Sequence, residues 1–266
     1  MNLLKYIFLG IIQGLTEFLP VSSSGHLVIF QKILNINEPG IIFEITVHIG
    51  TLIAVVVYFR KDIIRLISAM FCWKKDRSRE VRSSQMLVFY LFIATAVTGV
   101  IGILFKDKLE AVFDKLYLVG IMLLVTGSIL FFSDRVKDGK RGKLNFLIAI
   151  IIGIAQSIAI LPGISRSGTT ITVGIYSGLK RQLATRFSFL LSIPAILGAA
   201  IFKIKDFGAS GASEKFIPYF LALIASAAVG YFAIALMIRL INKAKLKYFS
   251  FYCWIIGFIV ILVEIF

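Results

Sequence analysis

The chain has 266 residues, 59% of them hydrophobic and 16% charged, with a mean hydropathy of +0.93 and a formal net charge of +15. That balance excludes an ordinary soluble domain and leaves room for about six to eight membrane segments with no separate soluble domain beside them. It also excludes a nucleic-acid role, because no folded soluble module exists to carry a basic face; the positive charge reads instead as loop charge that orients membrane spans.

The first predicted element is a broken hairpin over 2–34, interrupted at Pro20. Its apolar start runs straight into polar sequence without a small-residue cleavage signature, so it is expected as mature sequence and not a signal peptide. Apolar runs follow at about 41–59, 85–105 and 116–133, then a second broken region over 144–180 interrupted at Pro162, then runs at about 186–203, 216–239 and 248–266. Each broken region reads as two short helices meeting at a Ser/Gly-rich turn, a re-entrant hairpin that enters and leaves on one side. Cys72 and Cys253 lie in a basic loop and an apolar run, which predicts no shared disulfide and no metal ligation by either.

Lysine and arginine positions test this arrangement. The stretches 60–82, 134–143, 180–186 and 239–247 hold 20 basic residues, against eight elsewhere when Arg166 is set aside. All four fall on one side only if neither broken region crosses, and that side is then cytoplasmic. The charges on 60–82 read as a solvated cytoplasmic face, and both termini are predicted on the outer face.

The two broken regions carry one polar pattern twice. Gly10, Gln13, Ser22, Ser24 and Gly25 recur as Gly153, Gln156, Ser165, Ser167 and Gly168, each pair offset by 143 residues. A weaker echo pairs Phe43 with Phe187 and Asp62 with Asp206 at an offset of 144. Three spans separate the hairpins, and an odd number inverts the second. The expected fold is therefore all-α and integral to the membrane: about six transmembrane helices plus two re-entrant helical hairpins. It forms one domain of inverted-topology repeats, about 1–135 and 144–266, with a binding site between them.

The polar residues of that site pose definite chemical problems. Gln13 and Glu17 are four apart and share a helix face. An ionised Glu17 in lipid costs about 2.5–3.5 kcal/mol, so it needs a cation, a metal or a donor, or else a proton; Arg166 poses the same problem with opposite sign. Helices starting after Ser22–Gly25 and after Ser165–Gly168 aim free N–H groups at the turns, which favours phosphate, and Arg166 adds a planar fork of donors. His26 lies three residues after Ser23 and four after Ser22, where it could serve either hydroxyl as a base. The bland alternatives are an arginine–glutamate bridge between repeats, serines that only allow close packing, and an inert His26 at a helix start. His48, on one face with Glu44, is expected in a structural or supporting role.

The strings QGLTEFLPVSSSGHL and LPGISRSGTT resemble the two signature motifs of the bacterial undecaprenyl-diphosphatase family of bacitracin-resistance type, and the resemblance extends over essentially the whole chain. It implies an enzyme of the plasma membrane that removes one phosphate from undecaprenyl diphosphate. The monophosphate carrier is thereby recycled for peptidoglycan synthesis, and bacitracin resistance results. It further implies helical inverted repeats with re-entrant hairpins and a homodimer. Carried over residue by residue, the acidic positions of the first motif fall on Gln13 and Glu17, and its serine and histidine on Ser23 and His26. The second motif's serine, arginine and threonine fall on Ser165, Arg166 and Thr170.

Glutamine at position 13 leaves one carboxylate fewer than a two-acid metal site would have. On this reading Arg166, Ser165, Thr170 and the turn amides, with Ser22, Ser24, Gly25, Ser167 and Gly168, hold the diphosphate. Glu17, oriented by Gln13, binds a divalent cation (Mg2+ or Ca2+) together with the phosphates or acts as acid and base. Ser23 activated by His26 is the candidate nucleophile, and His26 itself or water remain open. The rival reading is a polyprenyl-phosphate translocase using the same site; it would need Arg166 but neither Ser23 nor His26.

Overall fold

The computed structural model describes residues 3–36, 40–72, 78–105, 115–136, 138–203, 216–243 and 246–265. Among them the chain forms eleven helices and a single β-bridge, between Arg141 and Leu179. In chain order these are α1 (Leu3–Phe18), α2 (Ser23–Ile33), α3 (Gly40–Tyr58), α4 (Arg60–Met70), α5 (Arg79–Leu104) and α6 (Leu116–Ser133). They continue with α7 (Phe146–Ile158), α8 (Arg166–Tyr176), α9 (Arg181–Lys203), α10 (Phe216–Asn242) and α11 (Lys247–Ile265). Five of these, α5, α6, α9, α10 and α11, are long and apolar enough to cross a membrane, or six if α3 and α4, bent by 78° at their junction, count as one span. The protein is a multi-pass, all-α membrane protein.

Both interrupted regions resolve into a pair of short helices. Helices α2 and α8 have 11 residues each. At about 1.5 Å per residue they extend roughly 16 Å, half of a hydrocarbon core about 30 Å thick. Their turns therefore have to be closed by protein groups, since lipid offers the freed backbone nothing.

Close backbone approach seats the hairpins. Helix α1 packs on α10 and α7 packs on α5, while α3 and α9 flank the same two partners. A Cβ on Gly10 would run into the Ala222 backbone, and one on Gly153 would lie 2.8 Å from the Ala94 carbonyl. Glycine at these two offset-matched positions is what lets each hairpin meet its partner helix. Helices α6 and α11 form a third close pair, where a Cβ on Gly257 would lie 2.7 Å from the Gly120 carbonyl and Trp254 Nε1 donates to the Leu124 carbonyl at 3.1 Å.

The basic stretch 60–82 is more ordered than its charge suggests. Its first part is α4, which buries Leu66 and Ala69 and exposes Ile64 and Ile67 beside Arg60, Lys61 and Arg65. The apolar positions recur every three or four residues, a helical period diluted by the charges between them. Arg186 on α9 donates to Asp62 at 2.6 Å and ties α4 to the bundle. Residues 73–77 of this stretch, and Asp206 of the weaker echo, lie outside the described residues. Helices α5 and α9 also begin earlier than their apolar runs, at Arg79 and Arg181; Ser78 caps α5 by accepting from Val81 N–H at 3.3 Å. A helix continues into polar sequence where its first turn is satisfied; at α9 Asp138 accepts from Arg181 N–H at 2.8 Å, and the buried Arg181 side chain pairs with Asp134. Cys72 and Cys253 are both free thiols.

Candidate functional site

The two turns are built on one plan. Ser22 caps α2 and accepts from Gly25 N–H at 3.3 Å; Ser165 caps α8 and accepts from Gly168 N–H at 3.1 Å. Serine satisfies an N–H that the first helical turn leaves without an intrahelical partner. The serine two residues on comes within 3.4 Å of its cap hydroxyl in the first turn and 3.3 Å in the second.

The tips interlock across the molecule. Gly163 N–H donates to Ser22 Oγ at 3.1 Å, and Ser167 Oγ donates to the Leu19 carbonyl at 3.2 Å. A Cβ on Gly25 would come within 3.1 Å of Gly163 Cα, and one on Gly168 within 3.1 Å of Pro20 Cβ. Thr126 on α6 completes the second turn, donating to the Gly163 carbonyl at 2.8 Å and accepting from Ser165 N–H at 3.1 Å. Ser22, Ser165 and Ser167 are thus engaged in joining the turns, and all three are buried.

Glu17 sits where the turns meet and is the hub of the site. Arg166 Nη2 donates to its Oε1 at 2.6 Å, Ser23 Oγ to its Oε2 at 2.6 Å, and Gln13 Nε2 to the same Oε2 at 2.9 Å. His48 Nε2 lies 3.7 Å from Oε2, while its Nδ1 is 2.7 Å from the Glu44 carbonyl. The buried carboxylate therefore has the cation and the donors that burial demands. Ser23 and Arg166 stand at equivalent places, 143 residues apart, and both turn to this one acid.

Arg166 also donates from Nη1 to the Ser188 carbonyl at 3.2 Å. Two of its five N–H groups are committed in this way, which leaves three for a ligand. Thr170 Oγ1 lies 2.6 Å from Ser188 Oγ and donates to the Arg166 carbonyl at 2.8 Å, so it braces the start of α8.

His26 does not meet the serines through their hydroxyls. Its Nδ1 is 2.8 Å from the Ser22 carbonyl, and its Nε2 is 2.8 Å from the Tyr252 hydroxyl on α11. Ser23 points to Glu17 instead, and the carboxylate accepts its hydrogen bond at 2.6 Å. The reason is directional: on α2 the Ser23 side chain faces α1, whereas His26 faces α11. Three further residues reach the site that spacing did not single out. Ser188 lies 144 residues after Glu44, a weak signal, while Thr126 and Tyr252 lie in apolar runs outside both motifs.

A divalent cation finds a sparse protein donor set here. Among the described residues no group of three His, Cys, Asp or Glu side chains could hold a metal. Gln13 Oε1 is buried without a partner, an oxygen placed beside Glu17 and free to ligate. One carboxylate and one amide oxygen fit an Mg2+ or Ca2+ that takes its remaining ligands from phosphate and water.

A family model described as "Bacitracin resistance protein BacA" matches residues 6–259. A protein of Carboxydothermus hydrogenoformans called undecaprenyl-diphosphatase is 42% identical over 269 residues, covering 99% of this chain and 98% of its own. Proteins of that name from Alkaliphilus metalliredigens and Methanobrevibacter smithii are each 43% identical, covering 98% of this chain and 98% and 97% of theirs.

Proposed function

The chain belongs to the bacitracin resistance protein BacA family, and we propose that it hydrolyses undecaprenyl diphosphate to undecaprenyl phosphate and inorganic phosphate. The observation that carries this reading is the convergence on Glu17 of a serine hydroxyl from one turn and an arginine from the other, each at 2.6 Å. A phosphoryl-transfer site needs a nucleophile with a proton acceptor and a cation for the phosphate charge, and these three residues supply them.

Arg166 takes the terminal phosphate through its three uncommitted N–H groups, aided by amides at the starts of α2 and α8. Ser23 Oγ attacks the terminal phosphorus, and its proton passes to Glu17. The bond to the bridging oxygen breaks, and the lipid phosphate leaves with the electron pair. Water then attacks the phosphoserine; its proton goes to His26, the phosphorus–Oγ bond breaks, and Ser23 recovers its proton from Glu17. Gln13 holds Glu17 in place throughout. Gln13 and Glu17 would hold a divalent cation with the phosphates, and such an ion would neutralise charge as the anhydride breaks.

The short hairpins suit a substrate whose diphosphate enters the protein while its tail stays between helices in lipid. The halves at about 1–135 and 144–266 are inverted repeats of one another on this reading, supported by matched caps, matched glycines and the crossed packing of α1 with α10 and α7 with α5. On this reading the protein sits in the plasma membrane with both termini outside, an orientation supported by the lysine and arginine distribution. The translocase reading draws no support from relatives that are named as phosphatases.

The test is phosphate release by the purified protein from a polyprenyl diphosphate in detergent, with EDTA, with EDTA and restored Mg2+ or Ca2+, and with Arg166→Ala and His26→Ala. Metal-dependent release that collapses in both variants is expected. A folded protein that binds the lipid and releases no phosphate would sink the reading.

A further inference from the structure

The proton chemistry of His26 has only one outlet. Nδ1, 2.8 Å from the Ser22 carbonyl, must carry a hydrogen, because a carbonyl oxygen can only accept. The basic nitrogen is then Nε2, and Tyr252 stands on it with its hydroxyl at 2.8 Å. His26 is 2% exposed. The Tyr252 ring lies 5.6 Å from the imidazole, centroid to centroid, at an interplanar angle of 9°, which holds the two rings nearly parallel. Tyr252 comes from α11, far in sequence from both motifs, and is half-open to the outside where His26 is closed.

Resting on the assignment of His26 under the proposed function, we propose that Tyr252 is the positioning and relay residue of that histidine. Its hydroxyl donates to Nε2 and so holds the Nδ1–H tautomer in one orientation. When the attacking water gives up a proton, the Tyr252 oxygen receives it as its own proton passes to Nε2. The phenol is unchanged at the end, and the imidazole has become imidazolium. A hydroxyl both donates and accepts, so the 2.8 Å contact survives this change with its direction reversed: the imidazolium Nε2–H then donates to the Tyr252 oxygen. A phenylalanine would keep the ring packing and lose both functions.

The experiment compares the intact protein with Tyr252→Phe, His26→Ala and the double variant, by steady-state phosphate release and by nitrogen NMR of the imidazoles. The chain has two histidines, and His48→Gln assigns their signals. Tyr252→Phe is expected to lower kcat by at least about tenfold with KM within about twofold. It should add nothing to His26→Ala, because a relay acting through His26 has no task once the imidazole is gone. In the unaltered protein the His26 signals should show a protonated Nδ1 and a hydrogen-bonded, unprotonated Nε2, and Tyr252→Phe should shift Nε2 alone. An Nε2–H tautomer in the unaltered protein overturns the relay whether or not the variants fold. A collapse in His26→Ala with full rate in Tyr252→Phe also overturns it while leaving the proposed function standing. Full rate in His26→Ala removes the role of His26, and the relay falls with it.

Discussion

The two hairpin turns share a skeleton and divide the chemistry between them. Both start a short helix from a serine cap that accepts from the glycine three residues on. Beyond that they diverge at matched positions: Ser23 corresponds to Arg166, His26 to Thr169 and Glu17 to Ile160, each pair 143 residues apart in sequence. The first turn holds the carboxylate, the hydroxyl bound to it and the imidazole, and the second holds the guanidinium. Even the backbone differs, for Ser22 itself takes a positive φ of 69°, whereas in the second turn Gly163 takes one of 96° and Ser165 stays at −75°. A left-handed conformation costs a residue with a Cβ about 1–2 kcal/mol, and glycine avoids that cost. The first turn keeps strain at the residue whose carbonyl orients His26; the second has none at its cap. A common cap makes two turns of the same shape, and side chains that never enter the cap decide what each one does.

The largest effect should come from cutting the link between the turns. Arg166→Ala is expected to lower turnover by about 10²–10³-fold or more, since it removes the donor aimed at the transferred charge. It also leaves Glu17 buried without its cation, which should cost about 3–5 kcal/mol of stability. Pairing Glu17→Gln with Arg166→Gln should restore part of the melting temperature and none of the activity. Recovery of neither would show that the pair is not coupled in the way its 2.6 Å contact implies.

The matched positions 26 and 169 sharpen the contrast. His26→Ala should cost about 10²–10⁴ in rate, read as phosphate release. Thr169 Oγ1 is buried without a partner. Thr169→Val keeps the shape and removes that unsatisfied hydroxyl, so it should leave activity unchanged and stability equal or slightly higher. A large loss of activity in Thr169→Val would erase the division of labour between the turns.

The caps come next. Alanine at Ser22 or at Ser165 should each cost about 0.5–2 kcal/mol, and glycine less. The alanine–glycine gap should be wider at 22 by about 1 kcal/mol, because only there does the backbone sit in the left-handed region. Melting temperatures of the four variants measure that difference, and equal gaps would mean that the Ser22 conformation carries no strain.

The smallest effect lies outside both turns, at the end of α6. Burial pushes the Asp134 carboxyl up, against the lowering pull of Lys247 N–H at 2.8 Å and of Arg181. A carboxyl raised on folding contributes most below the ordinary carboxylate range, and its contribution is lost as pH climbs through the raised value. Melting temperature followed across that range should fall less with rising pH in Asp134→Asn. Phosphate release at neutral pH should be unmoved, which makes this variant the control for the turn substitutions.

Much of the architecture was legible without coordinates. Apolar length marked the spans, and serine, glycine and proline in register marked the turns, because membrane depth tolerates such residues only for a reason. Glu17 and Arg166 were identifiable by charge alone as two groups too costly in lipid to stand unsatisfied; their pairing at 2.6 Å came from the tertiary structure. Helix α4 was harder to see, since the charges of Arg60, Lys61 and Arg65 hid its short apolar period until Leu66 and Ala69 were found buried. The earlier starts of α5 and α9 were hidden for a related reason, as a helix runs past its apolar stretch when a side chain satisfies its first turn, Ser78 at α5 and Asp138 at α9.

By itself, then, the sequence determined that this is a helical membrane protein with two matched polar turns and two charges, Glu17 and Arg166, that each need a partner there, because burial energies act on residue type and spacing alone. Only the tertiary structure decided who meets whom. Spacing on α2 left His26 able to serve Ser22 or Ser23, and the packing of α1 and α11 sent Ser23 to Glu17 and His26 to Tyr252, 226 residues away. A helix sets the direction in which a side chain points; what waits there belongs to another part of the chain, and nothing local in the sequence records it.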